Sequence, residues 1–256
     1  MSYRAVEVLS STALVIAEDT RHSRRLLDHY RITTPLGSYH EHNEAKETPR
    51  LVTRLRAGDS IALISDAGTP LISDPGSRLV AAALEARIPV VPIPGPSAVM
   101  AALVASGMSL ERFAFYGFIP RKGKDRAETI NEIVGSRTTV VLFEAPTRVG
   151  ATLEALVQAG AGERSAVVAR ELTKQFEEFR RATVGELATH YGASDPKGEV
   201  VIMIAGASEA PVSEAELNDA AKKLRASGKK PRQVMDHLIG ALGAPRNLAY
   251  RIAHEG

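Results

Sequence analysis

Three short segments concentrate the groups able to do chemistry: AEDTRH (residues 17–22), SDAGTPLISDPG (65–76) and PIPGPSA (92–98). The first holds two carboxylates, Glu18 and Asp19, of the kind that takes a proton from a hydroxyl in general base catalysis. Capping a helix, or pairing with Arg21, would use the same two residues. Beside them Arg21, Arg24 and Arg25 recur at i, i+3, i+4, which sets three cations on one helical face and suits phosphate. A second basic run, Arg121, Lys122, Lys124 and Arg126, follows FYGFIP. Charge runs of this kind also occur as plain solvated surface. FEAPTR (143–148) adds another carboxylate and cation, Glu144 and Arg148, as second-choice catalytic groups.

Residues 66–98, which take in nearly all of the two proline-rich segments, hold six of the chain's 14 prolines, far above an even share. Proline fixes φ and glycine permits positive φ, so such loops are rigid and bring bare backbone close to a ligand. A flat polar ligand such as a nucleoside fits that description. Tight strand–helix turns would use the same residues, but three such loops in one half of the chain favour a ligand. Other chemistries lack their signatures. There is no G-x-G-x-x-G after a strand, no G-x-x-x-x-G-K-[ST] and no G-x-S-x-G around Ser65 or Ser73. His22, His29, His40 and His42 have no matching ligand set, so no metal is expected. The absence of cysteine excludes disulfides and thiolate chemistry.

The elements that must position these groups follow from periodicity. Ala13–Ala17, Leu36–Tyr39, Ile61–Ser65 and Pro89–Pro92 read as short strands. Thr20 (as N-cap) to Tyr30, Glu44–Ala57 stopped by Gly58, Pro75–Ala86 and Ser97–Ser106 read as helices. Alternation of this kind predicts a parallel, doubly wound α/β domain over 1–110, whose ligands sit at the carboxyl ends of the strands. After a linker at Gly107–Glu111, Phe113–Phe118, Thr138–Phe143, Ser165–Arg170, Glu177–Thr183 and Glu199–Gly206 read as strands. With helices at Asp125–Val134 and Thr147–Ala159, they predict a second α/β domain, with a mixed sheet, over 111–207. Ala207–Pro211 is a second linker. Beyond it Ser213–Ala226, Pro231–Leu242 and Arg246–His254 predict a small helical module over 212–256.

With 256 residues, 44% hydrophobic and 24% charged, the composition is that of a globular protein. No apolar run reaches membrane-spanning length, and MSYRAVEVLSS lacks the pattern of a signal peptide. A cytoplasmic protein without membrane partners is expected. Net charge is only +2, so an anionic partner must be met by local basic patches.

Taken together, SDAGTPLISDPG, PIPGPSA, AEDTRHSRRLL and FEAPTR, in this order, resemble the tetrapyrrole methylase superfamily. Within it they resemble the bacterial enzymes that 2'-O-methylate a cytidine ribose of 16S rRNA. The likeness runs from about Tyr3 to Gly206, with ARELTKQFEEF and KGEVVIMI matching later segments. It implies two α/β domains, S-adenosylmethionine (AdoMet) bound between them, a homodimer, and 16S rRNA or the small ribosomal subunit as partner. It also implies cofactor contacts at Asp66, Gly68, Thr69, Pro70, Leu71 and Ile72, at Ser97 and Ala98, and at Phe143. The RNA-binding set is Arg21, Arg24, Arg25, Arg121, Lys122 and Lys124.

Two departures stand out. Thr147 occupies a position where the family usually has histidine. The family also opens with a strand and a Thr-Pro-Ile-Gly-Asn-Leu loop ahead of the segment that SYRAVEVL matches. An internal methionine assigned as the start would explain that. A chain truly this short is expected to leave two strands as exposed edges and to bind AdoMet weakly. Methylation of a tetrapyrrole or peptide on the same fold is the nearest alternative, though it leaves the basic clusters unexplained. The C-terminal helices, read alone, allow a helix-turn-helix DNA-binding protein.

Overall fold

The computed structural model describes residues 1–207, 214–242 and 244–254. They fall into two compact units, Met1–Val134 with Thr138–Ala205, and Gly135–Arg137 with Gly206–Gly256.

The larger unit begins with α1 (Tyr3–Ser11), β1 (Leu14–Ala17), α2 (Thr20–His29), β2 (Leu36–Ser38), α3 (Glu44–Arg56), β3 (Ile61–Ile64) and α4 (Ser77–Glu85). The strands form a parallel sheet in the order β2-β1-β3, with Val15 opposite Leu36 on one side and Ala62 on the other. All four residues of β1 are buried, as a central strand covered on both faces requires. Alternation sends Leu14 and Ile16 toward Leu51 and Leu79, and Val15 toward Leu9 and Leu27. Helices therefore cover both faces, and the sheet is doubly wound as expected.

Pro89–Pro92 is not a strand. It pairs with no strand among the described residues, and Val90 and Val91 are exposed. Pro89 and Pro92 remove two of its four backbone donors, which weakens any ladder it could join. β3 is consequently an outer strand, half-buried along its length.

The second sheet has the order β4-β5-β8-β6-β7, built from β4 (Phe113–Phe118), β5 (Thr139–Glu144), β6 (Ser165–Arg170), β7 (Glu178–Thr183) and β8 (Val200–Ile204). β4 and β5 are parallel and the remaining pairs antiparallel, so the sheet is mixed. One face packs under α6 (Lys124–Gly135), α7 (Val149–Leu156) and α8 (Val184–Ala193), with Val140, Leu142, Val168, Ile202 and Ile204 at its centre. The other face is covered by α5 (Ala98–Val104), whose Val99, Ala102 and Leu103 meet Val141, Val167 and Met203. Thus the helix that follows PIPGPSA belongs to the core of the second sheet. The expected helix over Thr147–Ala159 is broken into a single tight turn at Pro146–Arg148, then α7, then a wider turn at Val157–Ala161 in which Gly160 has φ 98°.

α7 and α8 touch so closely at Gly150 that a Cβ there would lie 2.6 Å from the carbonyl oxygen of Tyr191. Backbone cannot yield as a flexible side chain can. Gly150→Ala is therefore expected to destabilise the fold by about 1–3 kcal/mol, the range for overpacking a tight core, read as a fall in Tm.

The smaller unit is a three-helix cluster, α9 (Glu214–Ala226), α10 (Pro231–Gly240) and α11 (Arg246–His254), as the sequence predicts. Leu217, Val234, Leu238, Ala249 and Ile252 form its core, and Arg251 pairs with Glu214 at 2.7 Å. Of the linker read at Ala207–Pro211, residues 208–211 lie outside the described residues, as do Ser213 and Gly256.

Candidate active site

The carboxyl ends of β1 and β3 deliver two of the three singled-out loops to one place. After β1, Asp19 leaves the helical region with φ −107° and ψ 105°, and its Oδ1 accepts from the amides of Arg21 at 2.7 Å and His22 at 3.2 Å. It is the N-cap of α2, a role the sequence reading gave to Thr20; Thr20 is instead the first helical residue. These two amide bonds hold the Asp19 carboxyl below its ordinary range. A carboxyl with a depressed folded-state pKa contributes stability above its unfolded pKa and loses it as pH falls through the folded value. Asp19→Ala is expected to lower Tm at neutral pH and to flatten the acid limb of Tm against pH. Asp19→Asn, which still caps but does not titrate, should retain most of the neutral-pH stability.

The loop from Ser65 to Gly76 is unusual in its backbone. Gly68, Leu71, Ser73 and Gly76 all have positive φ, at 77°, 72°, 67° and 133°. Glycine at 76 is required twice over, since a Cβ there would also meet Leu63 Cδ2 at 2.5 Å. The Ser65 hydroxyl lies 3.2 Å from the carbonyls of Ala67 and Gly68 and steadies the start of the loop. The amide of Asp19 donates to Asp66 Oδ1 at 3.3 Å, and the Thr69 hydroxyl donates to the Pro96 carbonyl at 2.8 Å. The three loops are thereby stapled to one another. Gly68 and Thr69 remain exposed, Pro70 is half-buried, and the apolar Leu71 and Ile72 face solvent.

In the third loop Ser97 caps α5 by accepting from the Met100 amide at 3.4 Å, and Ala98 is the first helical residue. Phe143, near the end of β5, packs half-buried against the same layer, its ring 4.9 Å from Phe115 and 5.7 Å from Phe118.

Glu144 and Arg148 are placed differently from a pair that works on a substrate. The Glu144 side chain is wholly buried. Its oxygens accept from the Ala145 amide at 2.9 Å, the Thr152 hydroxyl at 2.7 Å and Arg148 Nε at 3.2 Å. Arg148 in turn donates to the Ile119 carbonyl at 2.9 Å. Arg126, grouped by sequence with the basic loop, also turns inward, to the Pro120 carbonyl and to Thr152. Glu18, in contrast, is exposed at the end of β1.

Arg21, Arg24 and Arg25 line one groove of about 500 Å³ together with Thr20 and Leu36. None of the three has an ion-pair partner among the described residues. Arg121 and Lys122 are exposed after β4, and Lys124 opens α6 with a solvent-facing pair to Glu128 at 3.3 Å.

Two residues near the loops went unremarked in the sequence. Asp74 belongs to the SDPG turn that was read as starting the helix, yet α4 begins at Ser77 with Gly76 as its cap. Burial first, and then the nearby Glu18, push the Asp74 carboxyl above its ordinary range, with Asp66 and Glu199 adding smaller repulsions. Glu199 arrives from just before β8, so its proximity is invisible to local pattern. A carboxylate beside proline in a glycine-rich turn was the one available signal for Asp74.

A family model described as Tetrapyrrole (Corrin/Porphyrin) Methylases matches residues 1–188. The chain is 44% identical over 258 residues to Ribosomal RNA small subunit methyltransferase I of Synechocystis, covering 100% of this chain and 92% of that one. It is 49% identical to the protein of the same name from Mesorhizobium japonicum, over 84% of this chain and 73% of the other. Among solved structures it superposes on a cobalt precorrin-4 methyltransferase with a TM-score of 0.60 at 17% identity, covering 80% of this chain and 88% of that one. Uroporphyrin-III C-methyltransferase of Thermus thermophilus, complexed with S-adenosyl homocysteine, gives 0.57 at 16%, covering 80% and 90%.

Proposed function

The chain belongs to the tetrapyrrole methylase family, and on that footing we propose that it transfers a methyl group from AdoMet to the 2'-oxygen of a cytidine ribose in small-subunit ribosomal RNA. The observation that carries this reading is identity above 40% to relatives named for small-subunit rRNA methylation, one of them matched along the whole chain. The tetrapyrrole enzymes share the fold at only 16–17% identity. Three arginines lining one groove also suit a polyanion better than a macrocycle. Because the Synechocystis match includes the three-helix unit, that unit is read as part of the enzyme and not as a separate DNA-binding module.

The loops fit AdoMet. Stapled, exposed backbone at Gly68–Thr69 offers amides and carbonyls to a nucleoside, and the exposed carboxylates of Glu18 and Asp66 suit a cation. When bound, AdoMet supplies an electrophilic methyl group on a sulfonium that departs as a neutral thioether. Asp66, Gly68–Ile72, Ser97, Ala98 and Phe143 are the residues assigned to hold it. The protein's principal task is alignment, since an in-line displacement gains most from fixing donor and acceptor together. Among the carboxylates named, Glu18 is free to take the 2'-hydroxyl proton. Asp19 is occupied by its cap and Glu144 by its buried partners.

Arg21, Arg24 and Arg25, with Arg121, Lys122 and Lys124, hold RNA phosphates. A homodimer acting in the cytoplasm, where ribosomal RNA is found, completes the proposal; no helix among the described residues is long and apolar enough to cross a membrane. Purified protein, labelled AdoMet and either small-subunit rRNA or a tetrapyrrole provide the test. Label in rRNA is expected, and label in the tetrapyrrole alone would overturn the reading.

A further inference from the structure

We infer that Glu144 is a positioning residue: through a closed ring of hydrogen bonds centred on its buried carboxylate it fixes the backbone from which the Arg121–Lys124 loop meets RNA. The inference rests on the phosphate-binding role proposed for that loop.

The ring can be followed atom by atom. Glu144 Oε1 accepts from Arg148 Nε at 3.2 Å, and Arg148 Nη2 donates to the carbonyls of Ile119 at 2.9 Å and Pro120 at 3.4 Å. From the other side Arg126 Nη1 donates to the same Pro120 carbonyl at 3.2 Å, while its Nη2 donates to Thr152 Oγ1 at 3.2 Å. The Thr152 hydroxyl closes the circuit by donating to Glu144 Oε2 at 2.7 Å.

Two guanidinium groups thus converge on the carbonyls just past β4, immediately before Arg121, and one carboxylate anchors Arg148 directly and Arg126 through Thr152. Pro120 has no amide to offer, so its carbonyl is its sole backbone means of attachment. Ile119 is 2% exposed, whereas Arg121 and Lys122 are exposed. The ring therefore marks the boundary between a pinned strand end and a free cationic loop, which turns at Gly123 with φ 84°.

A carboxylate with no exposure and three internal donors does not meet a substrate hydroxyl, which separates Glu144 from a general base. Nor does a buried ion pair serve mainly to raise stability, because desolvation offsets much of its attraction. What it secures here is a single geometry for a chain segment whose side chains must meet phosphates in register.

The test is methyl transfer to small-subunit rRNA by Glu144→Gln and, separately, by Arg126→Met, which removes the Arg126 bonds to the Pro120 carbonyl and to Thr152, opening the ring, and leaves the Glu144–Arg148 pair intact. Each is expected to raise KM for rRNA about tenfold, as loss of ordered phosphate contacts does, with kcat and AdoMet affinity nearly unchanged. In an Arg121→Gln/Lys122→Gln/Lys124→Gln background neither should raise KM further. A fall in kcat at constant KM, or a full effect in the neutralised background, would overturn the inference. Should Glu144→Gln not fold, Arg126→Met decides alone. If the triple variant by itself leaves KM unchanged, the phosphate-binding reading fails; faster amide exchange at residues 121–124 in Arg126→Met would still report the ring's hold on the loop.

Discussion

Gly68→Val is expected to remove AdoMet binding while leaving the protein folded. Gly68 sits at φ 77° at the crest of the loop that leaves β3, exposed, where an added Cβ would meet only the Pro96 carbonyl, at an ordinary 3.9 Å. The substitution is sterically tolerable to the fold, and its direct penalty is the left-handed backbone, about 1–2 kcal/mol. The ligand feels it differently. A branched side chain would stand over the backbone that is assigned to the nucleoside, and the loop has few ways to retreat. Ser65 steadies its start, Thr69 is fastened to Pro96, and Asp66 accepts from the Asp19 amide. Titration calorimetry is expected to show AdoMet affinity lower by at least about a hundredfold, equivalent to some 2.8 kcal/mol, against a Tm loss of a few degrees. Unchanged affinity would remove Gly68 from the pocket. Thr69→Val, which cuts the staple to Pro96, should weaken binding to a smaller degree.

The second large effect belongs to the arginine groove. Arg21, Arg24 and Arg25 project from the first six residues of α2, a helix whose start is fixed by Asp19 and whose Leu27 is anchored in the sheet's core. Neutralising all three to glutamine should leave Tm and AdoMet affinity close to those of the parent. RNA affinity should fall by one to two orders of magnitude at low salt, and the slope of log affinity against log salt should shrink by about two, near 0.7 per lost contact on single strands. A uniform loss across RNA sequences is expected, because phosphate contacts position without reading bases. Loss of RNA affinity with an unaltered slope would mean that the arginines act through folding and not through charge.

Much of this was legible in the sequence because the signals were local. Ser165–Arg170 and Arg246–His254 fall where periodicity placed them, and Gly58, at φ 101°, stops α3 as read. The loops that matter were visible because proline and glycine cluster there. The failures have a common physical origin, in contacts between residues distant in sequence. A strand exists only if a partner takes its hydrogen bonds, so Pro89–Pro92 was read as a strand from its valines although its prolines give it little to pair with. For Glu144, a chemically suggestive carboxylate at a strand's end, the sequence shows the residue and not its burial. Its burial depends on Thr152 and Arg148, and on two carbonyls some 25 residues earlier that draw the arginines inward. Burial first, and then Glu18, push the Asp74 carboxyl upward, with Asp66 and Glu199 adding less; Glu18 and Glu199 are both far from it in sequence. Thr20 against Asp19 as N-cap is a one-residue ambiguity between two good capping types, and the geometry of two amides settled it.

The most direct measurement of the central claim is nucleoside analysis of small-subunit ribosomal RNA from cells with and without the gene for this chain. Loss of one 2'-O-methylcytidine on deletion, restored by the wild-type gene and not by the Gly68→Val form, is the predicted result. An unchanged 2'-O-methylcytidine level in the deletion strain would contradict the account.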